Sequence, residues 1–277
     1  MRENRCCPGG YEIAFGPVPS RRLGMSLGIN NIPPKTCSYN CRYCRLGGTN
    51  RMTVTRETFY SPADVVGAVG GCVAQLRHRR ETPDFLTFVP DGEPTLDENL
   101  GWEIQQLHAL GIRIAVITNA SLLSDPRVRR DLAGADWVSV KVDTVDDETW
   151  RTVNRPRRDL SLQGILEGIR RFTYDFHGHL ATETMLLQGT NDQEDCLEAV
   201  ALFLREIAPD RAYLSIPTRP PTDPAVKAPS EEAVIRAYAI FCKHLPSVEY
   251  LCSLPDRTRR PADLSPGKSS PGNQSHV

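Results

Sequence analysis

The chain has 277 residues, 40% hydrophobic and 24% charged, with a formal net charge of −1. That length buries a full core in one large domain or two small ones, and the charge balance selects neither for nor against nucleic acid. No run of eighteen apolar residues exists and "MRENRCCPGGYEIAFG" has no apolar core, so neither a membrane span nor a signal peptide is expected, and a cytoplasmic location is.

In chain order, residues 1–24 read as an N-terminal extension. The first 60 residues carry nine Lys/Arg against three Glu. A basic face around the cysteine loop is therefore a candidate contact for an anionic substrate or phosphate backbone, and a solvated arginine-rich surface is the alternative. "MSLGIN" (25–30) is a short strand. "SPADVVGAVGGCVAQLRHRR" (61–80) is a helix with Ser61 as N-cap and Pro62 at the first helical position. "DFLTFVP" (84–90) is a buried strand, and "DENLGWEIQQLHALG" (97–111) a helix stopped by Gly111. "IRIAVITN" (112–119) is a strand, "DPRVRRDLAG" (125–134) a short helix and "DWVSVKVD" (136–143) a strand. "LSLQGILEGIRRFTYDF" (160–176) is a helix, "HLATETMLLQG" (179–189) a strand and "DQEDCLEAVALFLREIAP" (192–209) a helix. "RAYLSIP" (211–217) and "SEEAVIRAYAIFCKHL" (230–245) close the series as strand and helix.

Six strand–helix units in regular alternation predict an α/β fold, a partial (β/α)6 barrel over residues 25–245 with a parallel sheet inside and helices outside. Residues 246–277 form a C-terminal segment rich in Pro, Gly, Ser and charge, expected to be disordered after about residue 255. Catalytic loops of such a barrel sit at the C-terminal ends of its strands. The cysteine loop follows the first strand, "DGEPT" the second, "TNAS" the third and "KVDT" the fourth, so four polar clusters fall on one face.

"KTCSYNCRYCRLGG" (35–48) places Cys37, Cys41 and Cys44 in the pattern C-x3-C-x2-C. A structural zinc site is closed by four ligands, and this triplet stands alone. A redox Cys41–Cys44 pair leaves Cys37 unexplained, and a chance group of buried thiols conflicts with the polar residues of the loop. Three thiolates hold three irons of a [4Fe–4S] cluster and leave the fourth iron open for chemistry. Of the other cysteines, Cys72, Cys196 and Cys242 fall in helices and read as small core residues. Cys6, Cys7 and Cys252 lack ligand spacing, and a second cluster on Cys6 and Cys7 would need two further ligands.

The remaining candidates sit in the other strand-end loops. In Gly92-Glu93-Pro94 the glycine permits close backbone approach, and a carbonyl or the carboxylate can accept from an ammonium. Elsewhere "GEP" is a common turn. Asn119 ends the third strand, as a hydrogen-bonding group or as a turn residue. Lys141 and Asp143 alternate with Val140 and Val142, which puts both on one strand face. If that face is the lumen they are catalytic candidates, and a self-satisfied buried ion pair is the alternative. Arg155 and Arg219 are candidate substrate anchors, since the guanidinium fork matches phosphate or carboxylate, or else surface arginines.

C-x3-C-x2-C in a first βα loop resembles the radical S-adenosylmethionine (SAM) superfamily. The resemblance implies that the open iron chelates the amino and carboxylate groups of SAM and that a reduced cluster cleaves it to a 5′-deoxyadenosyl radical. It implies that the aromatic residue before the third cysteine, here Tyr43, lies near the adenine. It matches Gly92, Glu93 and Pro94 to a "GGEP" motif that meets the SAM amino group, with Asp91 where the first glycine usually stands. It gives Asn119 the ribose hydroxyls. A reductant such as flavodoxin or ferredoxin is the implied partner.

"FGPVPSRRLGMSLGINNIPPKTCSYNCRYCRLGGTN", with "NRP", "MLLQGTND" and "TRPP" further on, resembles the wyosine-synthetase-like radical SAM group over roughly residues 14–225. That label implies a tRNA base as substrate, and a small metabolite is the other class kept. Two rival readings are an activase that places a glycyl radical on a partner protein, and a non-enzymatic iron–sulfur or zinc protein.

Overall fold

The computed structural model describes residues 12–218, 221 and 223–251. The expected disorder after residue 255, together with Cys6, Cys7, Cys252 and Arg219, lies outside them. In chain order the strands and helices begin with β1 (Ala14–Ser20), β2 (Gly24–Ile29), β3 (Thr36–Cys37), β4 (Arg51–Met52) and α1 (Pro62–His78). Then come β5 (Phe85–Phe88), α2 (Leu100–Leu107), β6 (Arg113–Thr118), α3 (Pro126–Leu132), β7 (Trp137–Lys141), α4 (Asp147–Val153) and α5 (Leu162–Asp175). The chain continues through β8 (His179–Met185), α6 (Glu194–Ile207), β9 (Arg211–Ser215), α7 (Glu231–His244) and β10 (Val248–Tyr250).

The main sheet runs β1-β2-β5-β6-β7-β8-β9-β10. All neighbours are parallel except β1 and β2. Six βα units from β2 to α7 therefore form the partial barrel that the alternation predicts. Period-2 alternation sorts each strand into two faces. Leu86, Phe88, Ile114, Val116, Val138 and Val140 enter the large core shared with the helices, while Phe85, Ala115 and Trp137 pack in a second, inner cluster.

Three features differ from the sequence expectation. The assigned extension and C-terminal segment each contribute a strand, because β1 pairs antiparallel with β2 and β10 pairs parallel with β9. Helix α4 was outside the expected elements. It is started by Asp146, whose side chain accepts from Thr149 N. Cys242 is exposed on α7 and Cys196 is half-buried, so of the three helix cysteines only Cys72 packs as a core residue.

The basic face is also reduced. Arg22, Arg42, Arg51 and Arg56 each pair with a carboxylate, namely Glu183, Asp223, Glu57 and Asp131. Arg22, Arg42 and Arg56 are largely buried in these pairs, while the Arg51–Glu57 pair lies at the surface. No helix among the described residues is long and apolar enough to cross a membrane.

Candidate active site at the C-terminal mouth of the barrel

The cysteine loop leaves the C-terminal end of β2 and is fastened on two sides. On one side Lys35 N donates to Asp91 O (2.5 Å) and Glu93 N to Thr36 O (3.1 Å), which joins the loop to the turn after β5. A Cβ on Gly92 would fall inside the van der Waals contact of the Thr36 carbonyl and of Ile32, so only glycine allows this approach. On the other side Asn40 N donates to Asn154 O (3.1 Å), Arg42 N to Val153 O (3.0 Å) and Arg157 N to Ser38 O (3.0 Å). The segment after α4 thus clasps the cysteine loop, with Arg155 held at φ +45°. The short β3–β4 pair steadies its base, and Cys44 N closes a turn on Cys41 O (3.0 Å).

Glu93 organises the strand ends. It is 1% exposed. Its Oε1 accepts from Thr95 N (3.1 Å), Thr95 Oγ1 (2.6 Å) and Thr118 Oγ1 (2.6 Å), and its Oε2 from Asn119 N (2.7 Å). Burial raises its pKa, and these donors oppose the rise. Asn119 turns its amide towards the cysteine loop. Nδ2 donates to Ser38 Oγ (2.9 Å) and lies 3.5 Å from Cys37 Sγ, while Oδ1 accepts from Ser121 N (2.9 Å).

Lys141 and Asp143 share a face, and both meet Tyr43. The Lys141 ammonium lies 4.9 Å from the Tyr43 ring centroid, and Tyr43 OH donates to Asp143 Oδ2 (2.5 Å). Asp143 Oδ1 accepts from Met185 N (2.9 Å). Asn154 Nδ2 donates to Asp143 Oδ2 (2.7 Å) and lies 3.6 Å from Cys41 Sγ. Deeper in the lumen, Glu183 sits between Lys141 (3.3 Å) and Arg22, and accepts from Ser215 Oγ (2.9 Å).

Burial alone would push Lys141 down, but Glu183 and Asp143 outweigh it and hold the ammonium above its usual pKa. Burial would likewise raise Glu183, yet Arg22 and Lys141 take it well below the carboxylate range. The half-buried thiols move the other way. Burial, then Asp143, pushes Cys41 up to about 12, and burial with Cys41 and Glu93 raises Cys37 as well.

The structure thus brings together Cys37, Cys41, Tyr43, Gly92, Glu93, Asn119, Lys141 and Asp143, with Pro94 opening the buried 3₁₀ turn Pro94–Leu96. Arg155 is occupied, since its guanidinium pairs with Asp223 (2.7 Å), which Arg42 also holds (2.9 Å). Sequence reasoning missed Asn154, Glu183, Ser38 and Arg22. Glu183 had a signal, a lone carboxylate inside the apolar strand "HLATETM"; Arg22 and Ser38 act through partners more than 80 residues away, and Asn154 acts through Cys41, 113 residues away, and through Asp143 on the far side of α4.

A cleft of about 570 Å³ opens at the other end of the barrel, lined by Arg22, Phe85, Arg113, Trp137, Arg211 and Tyr213. It is remote from the thiols. The mouth, where sulfur, carboxylate, amide and ammonium groups converge at strand C-termini, is the better place for chemistry.

The family model "Radical SAM superfamily" matches residues 31–201. Over 229 residues the chain is 48% identical to a UPF0026 protein of Methanocaldococcus jannaschii, covering 83% of this chain and 71% of that one. The chain is a radical SAM enzyme of the UPF0026 family. Radical SAM folds among solved structures resemble it at low identity. A radical SAM methyltransferase from Sphaerobacter thermophilus gives a TM-score of 0.58 at 17% identity, covering 81% of this chain and 66% of that one. TYW1 with a lysine–pyruvate adduct bound gives 0.56 at 13%, covering 79% and 74%. At such identities the likeness to both is one of fold, and the likeness to TYW1 is distant.

Proposed function

We propose that Cys37, Cys41 and Cys44 hold a [4Fe–4S] cluster with one iron open to SAM, and that the mouth directs hydrogen abstraction from a substrate entering there. The observation that supports this most is the double fastening of the C-x3-C-x2-C loop at the strand C-termini, by the turn at Gly92 and by the segment at Asn154. The donor set fits the group. Among the described residues no three of His, Cys, Asp and Glu converge on a single metal ion. Zinc needs such convergence at about 2.3 Å from sulfur, whereas a cluster takes each thiolate on a separate iron.

When bound and reduced, the cluster supplies one electron to the sulfonium of SAM, giving the 5′-deoxyadenosyl radical. The residues have separate tasks. Gly92 admits the backbone closely, so carbonyls of the 92–94 turn are the acceptors for the SAM ammonium. Glu93, with both oxygens engaged, shapes that turn instead of receiving the ammonium itself. Tyr43, oriented by Asp143 and Asn154, offers its ring as a flat wall. Lys141 serves as a fixed positive charge beneath it. The lysine–pyruvate adduct of TYW1 needs a neutral amine, and the ammonium between Glu183 and Asp143 is ill suited to that role. A tRNA base or a small metabolite is the substrate class, with a flavodoxin- or ferredoxin-type reductant as electron donor.

The test is anaerobic. The chain is reconstituted with iron and sulfide, reduced, given SAM and assayed for 5′-deoxyadenosine by mass spectrometry, with Cys41→Ala as control. Deoxyadenosine from the wild type and none from the control is the expected result. A loaded, reducible cluster that cleaves no SAM overturns the reading.

A further inference from the structure

Two side-chain amides point at two of the three sulfurs. Asn119 Nδ2 lies 3.5 Å from Cys37 Sγ, and Asn154 Nδ2 lies 3.6 Å from Cys41 Sγ. Sulfur acceptors take longer hydrogen bonds than oxygen, so these are contacts of hydrogen-bond length. Neighbouring groups settle which end of each amide faces the sulfur. For Asn119, Oδ1 accepts from Ser121 N, which leaves Nδ2 on the sulfur side. For Asn154, Nδ2 is 2.7 Å from Asp143 Oδ2. An ionised carboxylate only accepts, so a flipped Asn154 would set oxygen against oxygen.

The two asparagines come from different places. Asn119 follows β6 and Asn154 follows α4, and neither neighbours a cysteine in sequence. They reach the loop from opposite sides, and each is anchored by a second bond, to Ser38 Oγ (2.9 Å) and to Asp143 respectively. Hydrogen bonds to cluster sulfurs stabilise the more negative, reduced state and raise the reduction potential. Asn154 Nδ2 is shared between Cys41 Sγ and the Asp143 carboxylate.

We infer that Asn119 and Asn154 are positioning residues for the cluster, whose N–H···S hydrogen bonds to Cys37 and Cys41 raise its reduction potential into the range of the cell's low-potential electron donor. This rests on the reading of the three cysteines as cluster ligands. The redox step is the gain of one electron from that donor, with no bond made or broken in the protein.

The experiment is an EPR-monitored redox titration of the reconstituted chain without SAM, with iron and sulfide content measured in parallel. Asn119→Leu and Asn154→Leu remove one donor each. Each is expected to make reduction roughly tenfold less favourable, a downward shift of about 59 mV for a one-electron couple. The double variant should fall by close to the sum. Asn154→Asp, which removes the donor and adds a negative charge, should fall further than Asn154→Leu; a merely structural role predicts no such order. If the leucine variants load poorly, Asn119→Ser and Asn154→Ser, too short to reach the sulfur, carry the same comparison. Loaded variants with the wild-type potential, or a higher one, overturn the inference while leaving the cluster in place. A wild type that assembles no cluster overturns the cluster reading itself.

Discussion

The two ends of the barrel are built from different materials. At the N-terminal end, residues from the first three positions of their strands (Phe85, Ala115, Trp137, Ala181 and Tyr213) close the lumen with Leu23 as an apolar plug. At the C-terminal end the same inward-facing rows carry Asn119, Lys141 and Asp143, joined to Glu93, Tyr43 and Asn154. One end gains free energy from removing apolar surface from water, and the other holds polar groups in fixed directions at the expense of such burial. The comparison teaches that changes at the floor should register as stability, and changes at the mouth as loading and chemistry. Each substitution below is a way to break that division.

The largest effect is expected where the two ends meet. Glu183 links Arg22, from the floor, to Lys141, which lies under Tyr43. Glu183→Leu removes the ion-pair partner of Arg22 and the stronger of the two carboxylates that hold Lys141, which costs about 3–5 kcal/mol. Chemical denaturation should report that loss. A stability within about 1 kcal/mol of wild type would mean that the pair is self-compensating and the ends are independent.

Next comes a pH effect behind the mouth. Glu103 on α2 is fully buried, neither of its carboxyl oxygens has a hydrogen-bond partner among the described residues, and the charge of Asp97 acts on it. Burial, then Asp97, pushes Glu103 up to about 9, and burial pushes Asp97 to about 6. The folded chain therefore holds a proton that the unfolded chain releases near pH 4.5, so stability falls as pH rises from about 4.5 to about 9 and is level beyond. Glu103→Gln removes that titration and should flatten the melting-temperature profile across this window, apart from the part below about pH 6 that Asp97 contributes. An unchanged slope would show that the proton sits elsewhere.

A smaller change tests the close approach at Gly92. Gly92→Ala sets a methyl against the Thr36 carbonyl and Ile32, and the turn must shift at a cost of about 1–3 kcal/mol. The mouth reading expects iron content and SAM affinity, by calorimetry, to drop out of proportion to that loss. Normal SAM affinity in a loaded variant would move the ammonium contact away from this turn.

How much of this could be read from the sequence follows from the range of the interactions. The six units, and the placing of the cysteines, "DGEPT", "TNAS" and "KVDT" at one end, are local patterns of period 2 and 3.6, and the structure keeps them. Strand β1 was not legible, because "GPVPS" carries turn residues and its pairing depends on β2. The roles of Arg22, Ser38 and Asn154 were not legible either, since each is defined by a partner on a different loop or strand. The pairing of Arg155 with Asp223 was not legible, because nothing nearby in sequence announces that partner.

The smallest effect sharpens the comparison most, because it uses one chemical group at both ends. Ser38 Oγ and Ser121 Oγ are 2.6 Å apart at the mouth, and Ser26 Oγ and Thr87 Oγ1 are 2.6 Å apart between β2 and β5. Both pairs are buried and both are hydroxyl to hydroxyl. Ser121→Ala and Ser26→Ala each remove one such bond, worth about 1 kcal/mol, so their melting temperatures should fall alike. Their iron contents should not. Ser38 is also the anchor of Asn119 and the neighbour of Cys37, so loosening it frees the amide and the loop together. Ser26 touches neither. Equal loading in the two variants would mean that the hydroxyl at the mouth is only packing, and that the cysteine loop is held by its backbone bonds alone.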